Sequence, residues 1–192
     1  MTSLKNLLLI VLMSLPVLDV SAQQHDSNHT TYFRSIDNIG SLNGQAGTSL
    51  QLETVNGIEM RSWFAGVGAG LDYYRFRSVP LFIQLRKEIG KKESKFFLYG
   101  DGGINFAWAF PRQKMRYANN DVVRNGVFAE TGLGYKFCIN AHNALLITAA
   151  YSYKKIVETN QVFLGYAPGR ISDQSRYDYN LNRMAIKAGW EF

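Results

Sequence analysis

Arg183-Met184-Ala185-Ile186-Lys187-Ala188-Gly189-Trp190-Glu191-Phe192 ends the chain. Successive side chains of an extended strand point to opposite sides. Met184, Ile186, Ala188, Trp190 and Phe192 then share one face, while Arg183, Lys187 and Glu191 share the other with Ala185 and Gly189. This period of two reads as a β-strand with one apolar and one charged face.

The same pattern recurs upstream. Trp63, Ala65, Val67, Ala69, Leu71 and Tyr73 oppose Ser62, Phe64, Gly66, Gly68, Gly70 and Asp72. Val79, Leu81, Ile83 and Leu85 oppose Phe82, Gln84, Arg86 and Glu88. Phe96, Leu98, Ile104, Phe106 and Trp108 oppose Tyr99, Asp101, Gly103 and Asn105. Further segments run over 126–137 and 145–154. Each is about ten residues long, the length a tilted strand needs to cross a bilayer. A shorter segment at 47–54 sets Leu50 and Leu52 against Ser49, Gln51 and Glu53. An eighth within 32–42 is inferred in part from parity, because single-chain bacterial barrels have even strand numbers. Asn43-Gly44 and Asn56-Gly57 read as tight turns. Phe110–Val123 and Lys155–Asn180 read as long loops, with Val157–Tyr166 alternatively extending the strands beyond the membrane. Short turns at one end and long loops at the other are the outer-membrane arrangement.

The amino terminus reads as an export signal. Lys5 precedes the apolar run Leu7–Leu15, and Val20-Ser21-Ala22 offers a cleavage site after Ala22. The run is too short for a spanning helix. Residues 23–31 are polar and read as a flexible lead-in, so the barrel is expected over 32–192. Cleavage would remove one base, Lys5, and one acid, Asp19, leaving the net charge at +6. A modest positive balance on an exported chain suits anionic lipid better than nucleic acid. Cys138 is the only cysteine, so no intrachain disulfide can form. Hydrophobic residues make up 46% of the chain, which argues against disorder.

Alternation alone does not say which face meets solvent, since a soluble barrel turns its apolar residues inward. Three features tip the direction here: aromatic placement, charge balance, and Gly66, Gly68, Gly70, Gly103, Gly132 and Gly134 on the polar face, which leave room for long charged side chains. Trp63, Tyr73, Phe96, Trp108, Tyr135, Phe137, Tyr153 and Trp190 lie near strand ends on the apolar face, where interfacial girdles belong. The polar face carries Asp72, Glu88, Asp101, Glu130 and Glu191 against Arg86, Lys136, Lys154, Arg183 and Lys187. Five acids and five bases in a confined lumen are expected to pair, because an isolated charge there is costly.

Together these stretches resemble the small outer-membrane β-barrels of the OmpA/OmpX-like class. The matching residues are Val55-Asn56-Gly57, Trp63–Tyr74, Val79–Arg86, Gly126–Phe137 and Asn182–Phe192. The resemblance implies an all-β, eight-stranded antiparallel transmembrane barrel of up-and-down topology. It implies that Met184, Ile186, Ala188, Trp190 and Phe192 are read by the barrel-assembly machinery. It implies no catalytic residue and no cofactor.

The remaining chemistry is sparse. Surface enzymes of this size often rely on a histidine base near the outer rim. His25 and His29 lie in the lead-in and His142 in a turn. Cys138 and His142 alone do not make a metal site. Gly66-Val67-Gly68-Ala69-Gly70 lacks the spacing of a nucleotide fingerprint. The loop side is basic through Arg75, Arg77, Arg112, Lys114, Arg116 and Arg124, which suits the phosphates of lipopolysaccharide. Replacing Arg112, Lys114 and Arg116 together by Gln is expected to weaken retention on immobilised lipopolysaccharide; unchanged retention would remove that reading. Tyr166, Tyr177 and Tyr179 fall in the longest loop and suit a recognition surface. A structural or surface-interaction protein with a filled lumen is the expected function. A lipid-modifying enzyme and a narrow channel are the alternatives.

Overall fold

The computed structural model describes residues 31–91, 94–107, 120–140, 142–163 and 171–192. The signal segment, nearly all of the lead-in, His25, His29, Trp108, Arg112, Lys114, Arg116 and Tyr166 lie outside these residues. The strands are β1 (Thr31–Gly44), β2 (Gly47–Met60), β3 (Trp63–Asp72), β4 (Ser78–Lys91), β5 (Ser94–Ala107), β6 (Asn120–Arg124), β7 (Gly126–Cys138), β8 (Ala144–Phe163) and β9 (Ile171–Glu191). All pairings are antiparallel. β6 and β7 both pair with β8 and are separated only by Asn125, so they form one stave. β1 pairs β9, and the sheet closes on itself. The result is an eight-staved barrel of up-and-down order.

Closure removes every sheet edge from the barrel wall, so backbone donors and acceptors find partners within it. Phe192 takes part in this closure: its N–H donates to the Ser35 carbonyl at 2.9 Å, and Ser35 N–H returns the bond at 2.8 Å.

The alternation resolves into an apolar exterior and a mixed interior. Val67, Ile83, Leu98, Leu133, Ile147 and Ile186 are exposed on the outside. Trp63, Phe96, Phe137, Trp190 and Phe192 ring the end where the tight turns lie. Tyr73, Phe106 and Tyr151 stand toward the other end.

Two turn expectations change. Asn56 and Gly57 are strand residues within β2, and the chain turns at Arg61-Ser62. Asn-Gly is a strong local turn former, but tertiary packing overrides it. A Cβ on Gly57 would overlap the Ala65 carbonyl and Gly66 Cα, so this position is built for close strand contact. Arg61 takes the left-handed conformation instead, at φ 59°. The other change is at Gln45-Ala46, a tight connection that lies at the loop end. The short connections are therefore not all on one side.

The expected loop 155–180 is in large part strand. β8 and β9 run past the barrel rim as a hairpin, and β6 joins β8 there as a third strand.

The lumen also has an apolar part. Ile36, Leu42, Val55, Phe64, Phe82, Phe97 and Phe128 are buried inside it. Two glycines on the same face make room for these rings. A Cβ on Gly68 would strike the Phe82 ring, and one on Gly134 would strike the Phe97 ring. These glycines thus admit phenyl groups, where the sequence suggested room for charged chains. Gly40 fits the earlier idea, since a Cβ there would meet the Lys187 stem.

Candidate functional site in the barrel lumen

The charged side chains of the interior form three layers. The upper layer, toward the loops, is built on Asp72 at the end of β3. Arg183 of β9 and Lys154 of β8 both pair with its Oδ2, Lys154 at 2.8 Å. Arg183 Nη2 donates to Ser152 Oγ at 2.7 Å. Lys154 also donates to Ser78 Oγ and to the Tyr74 carbonyl, each at 3.1 Å. Tyr74 N–H donates to Asp72 Oδ1 at 2.7 Å. The Tyr74 hydroxyl accepts from Ala46 N–H at 2.7 Å and so ties the β1–β2 turn across the mouth.

The middle layer centres on Lys187 of β9. Its Nζ reaches Glu53 Oε2 on β2 at 2.6 Å and also pairs with Glu130 Oε1 on β7. Tyr99 donates its hydroxyl to Glu130 at 2.8 Å. Gln51 donates to Glu53. Asp101 stands between Gln84 and Glu130 in the register of β4, β5 and β7. It is buried and makes no ion pair among the described residues.

The lower layer has three carboxylates and four cations. Arg86 Nη2 reaches Glu191 at 2.6 Å and Glu88 at 3.1 Å. Lys136 reaches Glu191 at 2.5 Å and Glu88 at 2.9 Å. Lys95 adds a contact to Glu88 at 2.7 Å, and Arg34 one to Glu59 at 3.0 Å. The Arg86 guanidinium also lies over the rings of Phe64 and Phe97, at 4.8 and 5.1 Å. Such contacts suit a cation that has lost its water. Glu59, Glu88 and Glu191 bring oxygen atoms within 4.8 Å of one another, which is cation-site spacing. The chain's own arginines and lysines supply the positive charge there.

Between the middle and lower layers is a cavity of about 10 Å³, lined by Gln84, Arg86, Tyr99, Thr148 and Lys187 among others. That volume holds about one water molecule. The described interior is largely occupied by these charged side chains and the rings beside them.

The ten charges singled out in the sequence all point inward: Asp72, Arg86, Glu88, Asp101, Glu130, Lys136, Lys154, Arg183, Lys187 and Glu191 are buried in the lumen. Sequence reasoning missed Glu53, Glu59, Arg34 and Lys95. Gln51, Glu53, Val55, Gly57 and Glu59 continue one period-two face, and the assumed turn at 56–57 hid its second half. Of the basic residues on the loop side, Arg75 is exposed with its guanidinium 4.4 Å from the Tyr179 ring, and Arg124 is exposed at the end of β6. Arg77 is half-buried. Tyr177 and Tyr179 lie on the β9 extension; they stack at 6.4 Å, and Tyr179 donates to Glu158 at 3.2 Å. Met184, Ile186, Ala188, Trp190 and Phe192 all face outward.

No family model matches the chain, and no curated protein matches it in sequence. Solved structures do match in shape. Neisserial surface protein A aligns at a TM-score of 0.55 and 11% identity, over 86% of this chain and 98% of that one. The amino-terminal β-barrel domain of Pseudomonas aeruginosa OprF aligns at 0.52 and 7%, over 85% and 100%. The outer membrane protein AlkL, solved in lipid bilayers, aligns at 0.53 and 9%, over 89% and 94%. The chain has the fold of the small outer-membrane β-barrels.

Proposed function

We propose that the chain is exported, loses its first 22 residues and sits in a bacterial outer membrane, where it has a structural or surface-interaction role. The three ionic layers across the lumen carry this reading. Lys187, Glu53 and Glu130 join three different staves across the centre, and the cavity beside them has room for about one water molecule. Such an interior fastens the walls and leaves no route for solutes. The apolar exterior between two aromatic borders supports the membrane placement.

The turn end then faces the periplasm and the loop end the outside. The β6–β8–β9 extension is the part that projects outward, bearing Tyr177 and the Arg176–Asp178 pair. Recognition belongs there, with lipopolysaccharide phosphate near Arg75 and Arg124 as the fitting partner chemistry. We take the role to be non-enzymatic: most acids and bases of the described lumen are engaged with one another in ion pairs. The outward strand Met184–Phe192 is the segment offered to the assembly machinery.

Planar-bilayer recording tests the filled lumen. The purified, lipid-reconstituted protein is expected to give no large, steady conductance. A steady open state in the parent protein would turn the reading toward a channel.

A further inference from the structure

Lys87 interrupts an apolar wall. On β4 it shares the outward face with Val79, Leu81, Ile83, Leu85 and Ile89. In the register it lies between Trp63 of β3 and Leu98 of β5. Trp63 opens β3 directly after the Arg61-Ser62 turn, so this level is the turn-end border. A lysine stem can lie along apolar surface while its charged head reaches polar ground. The Lys87 ammonium does so: it lies 4.6 Å from the Trp63 ring and donates to Ser62 Oγ at 2.8 Å. Ser62 is fixed from the other side, because its carbonyl accepts from Glu88 N–H at 2.7 Å. The lumen lysines Lys95, Lys136, Lys154 and Lys187 each pair with a carboxylate. Lys87 pairs with none among the described residues.

An uncompensated cation at the border of a bilayer meets lipid phosphate. The groups around Lys87 fit that ligand. Its ammonium has three donors and uses one on Ser62, which leaves two. Ser62 Oγ is the acceptor of that bond, so its own O–H is left to donate. Trp63 supplies an amphipathic ring suited to the headgroup level. Arg61 is exposed on the same turn and adds positive charge to this border. One step deeper on β4, Leu85 is exposed, as is Leu98 on β5, and both suit acyl chains. Donors at the border above an apolar wall match the outline of a two-chain phospholipid. In the proposed orientation this end faces the periplasm, away from the lipopolysaccharide leaflet. We infer that Lys87 and Ser62 bind the phosphate of one glycerophospholipid of the periplasmic leaflet, with Trp63 beside its headgroup. The inference rests on the membrane placement proposed above.

Native mass spectrometry of the protein released from nanodiscs tests it. The nanodiscs contain phosphatidylethanolamine, phosphatidylglycerol and, as a neutral two-chain probe, diacylglycerol. The parent is expected to retain phospholipid and to release diacylglycerol. Lys87→Met keeps an apolar stem and removes the charge; it is expected to lower the fraction carrying phospholipid about tenfold. Ser62→Ala is expected to lower it about threefold. Lys87→Arg is expected to keep most of it. Lys155→Met makes the same substitution at the loop end of β8 and is expected to change nothing. Retention by Lys87→Met equal to that of the parent, or an equal loss in Lys155→Met, overturns the inference. Heat-modifiable migration in gels reports folding of each variant. If Lys87→Met does not fold, the parent decides, with equal retention of diacylglycerol and phospholipid as the overturning result. Failure of the parent to enter the nanodiscs would instead defeat the underlying placement.

Discussion

Asp72→Ala is expected to destabilise the folded barrel by about 3–5 kcal/mol, the range for breaking a buried ion pair from one side. Asp72 is 0% exposed and is the carboxylate that pairs with both Arg183 and Lys154. Its removal leaves two cations in the lumen without a counter-charge, at a depth where water cannot replace it. It also frees the Tyr74 N–H, and with it the residue that ties the mouth to Ala46. Urea titration of the barrel in lipid vesicles, followed by tryptophan fluorescence, measures the loss. Removing the charges together gives the contrast. Asp72→Leu combined with Arg183→Met and Lys154→Met is expected to recover much of the stability, because no unpaired charge remains. If Asp72→Ala unfolds within 1 kcal/mol of the parent, the upper layer does not hold the mouth.

The ion pairs join residues far apart in the chain. Asp72 and Arg183 are 111 positions apart, Arg86 and Glu191 105, and Lys187 and Glu53 134. These pairs can form only as the barrel closes, so they act on closure and register more than on any single strand. A one-residue slip between β1 and β9 would turn Lys187 and Glu191 to the outside and Ile186 and Trp190 to the inside. The ion pairs therefore favour the same register as the hydrophobic pattern.

Much of this was legible in the sequence, for a simple reason. A period of two puts Asp101, Glu130 and Lys187 on one face whatever the twist, and the aromatic residues near strand ends on the opposite face mark theirs as the inward one. The less visible part comes from tertiary choices. Nothing local marks Asn56-Gly57 as strand, because its reason is the close approach of Gly66 across the sheet. That one assumption concealed Glu59 and kept Glu53 out of the network. Phe64 and Phe82 fell on the charged face in the alternation, yet only the folded barrel shows them packed beside ion pairs with Gly68 giving up its side-chain space to a ring. The β8–β9 extension was open between loop and strand in the sequence because its mostly polar residues show no sustained apolar face, and the pairing of the two strands decides for strand.

Leu133→Arg is expected to cost about 2–4 kcal/mol in a bilayer, the range for a basic residue at mid-depth on the lipid face of a barrel. Leu133 is 58% exposed on the outside of β7, flanked in the register by Leu98 and Ala149. No described charge neighbours it on that face. Val127 gives the control. It is 56% exposed on the same strand but close to the loop end, where an arginine can extend to the headgroups. Val127→Arg is therefore expected to cost only about 0–1 kcal/mol. Exposure in the two cases is nearly equal, so a difference between them measures depth alone. The comparison is made by denaturant titration in vesicles of one lipid composition. Equal costs at the two positions would mean that the exterior does not sit in hydrocarbon, and the proposed membrane placement would fall with it.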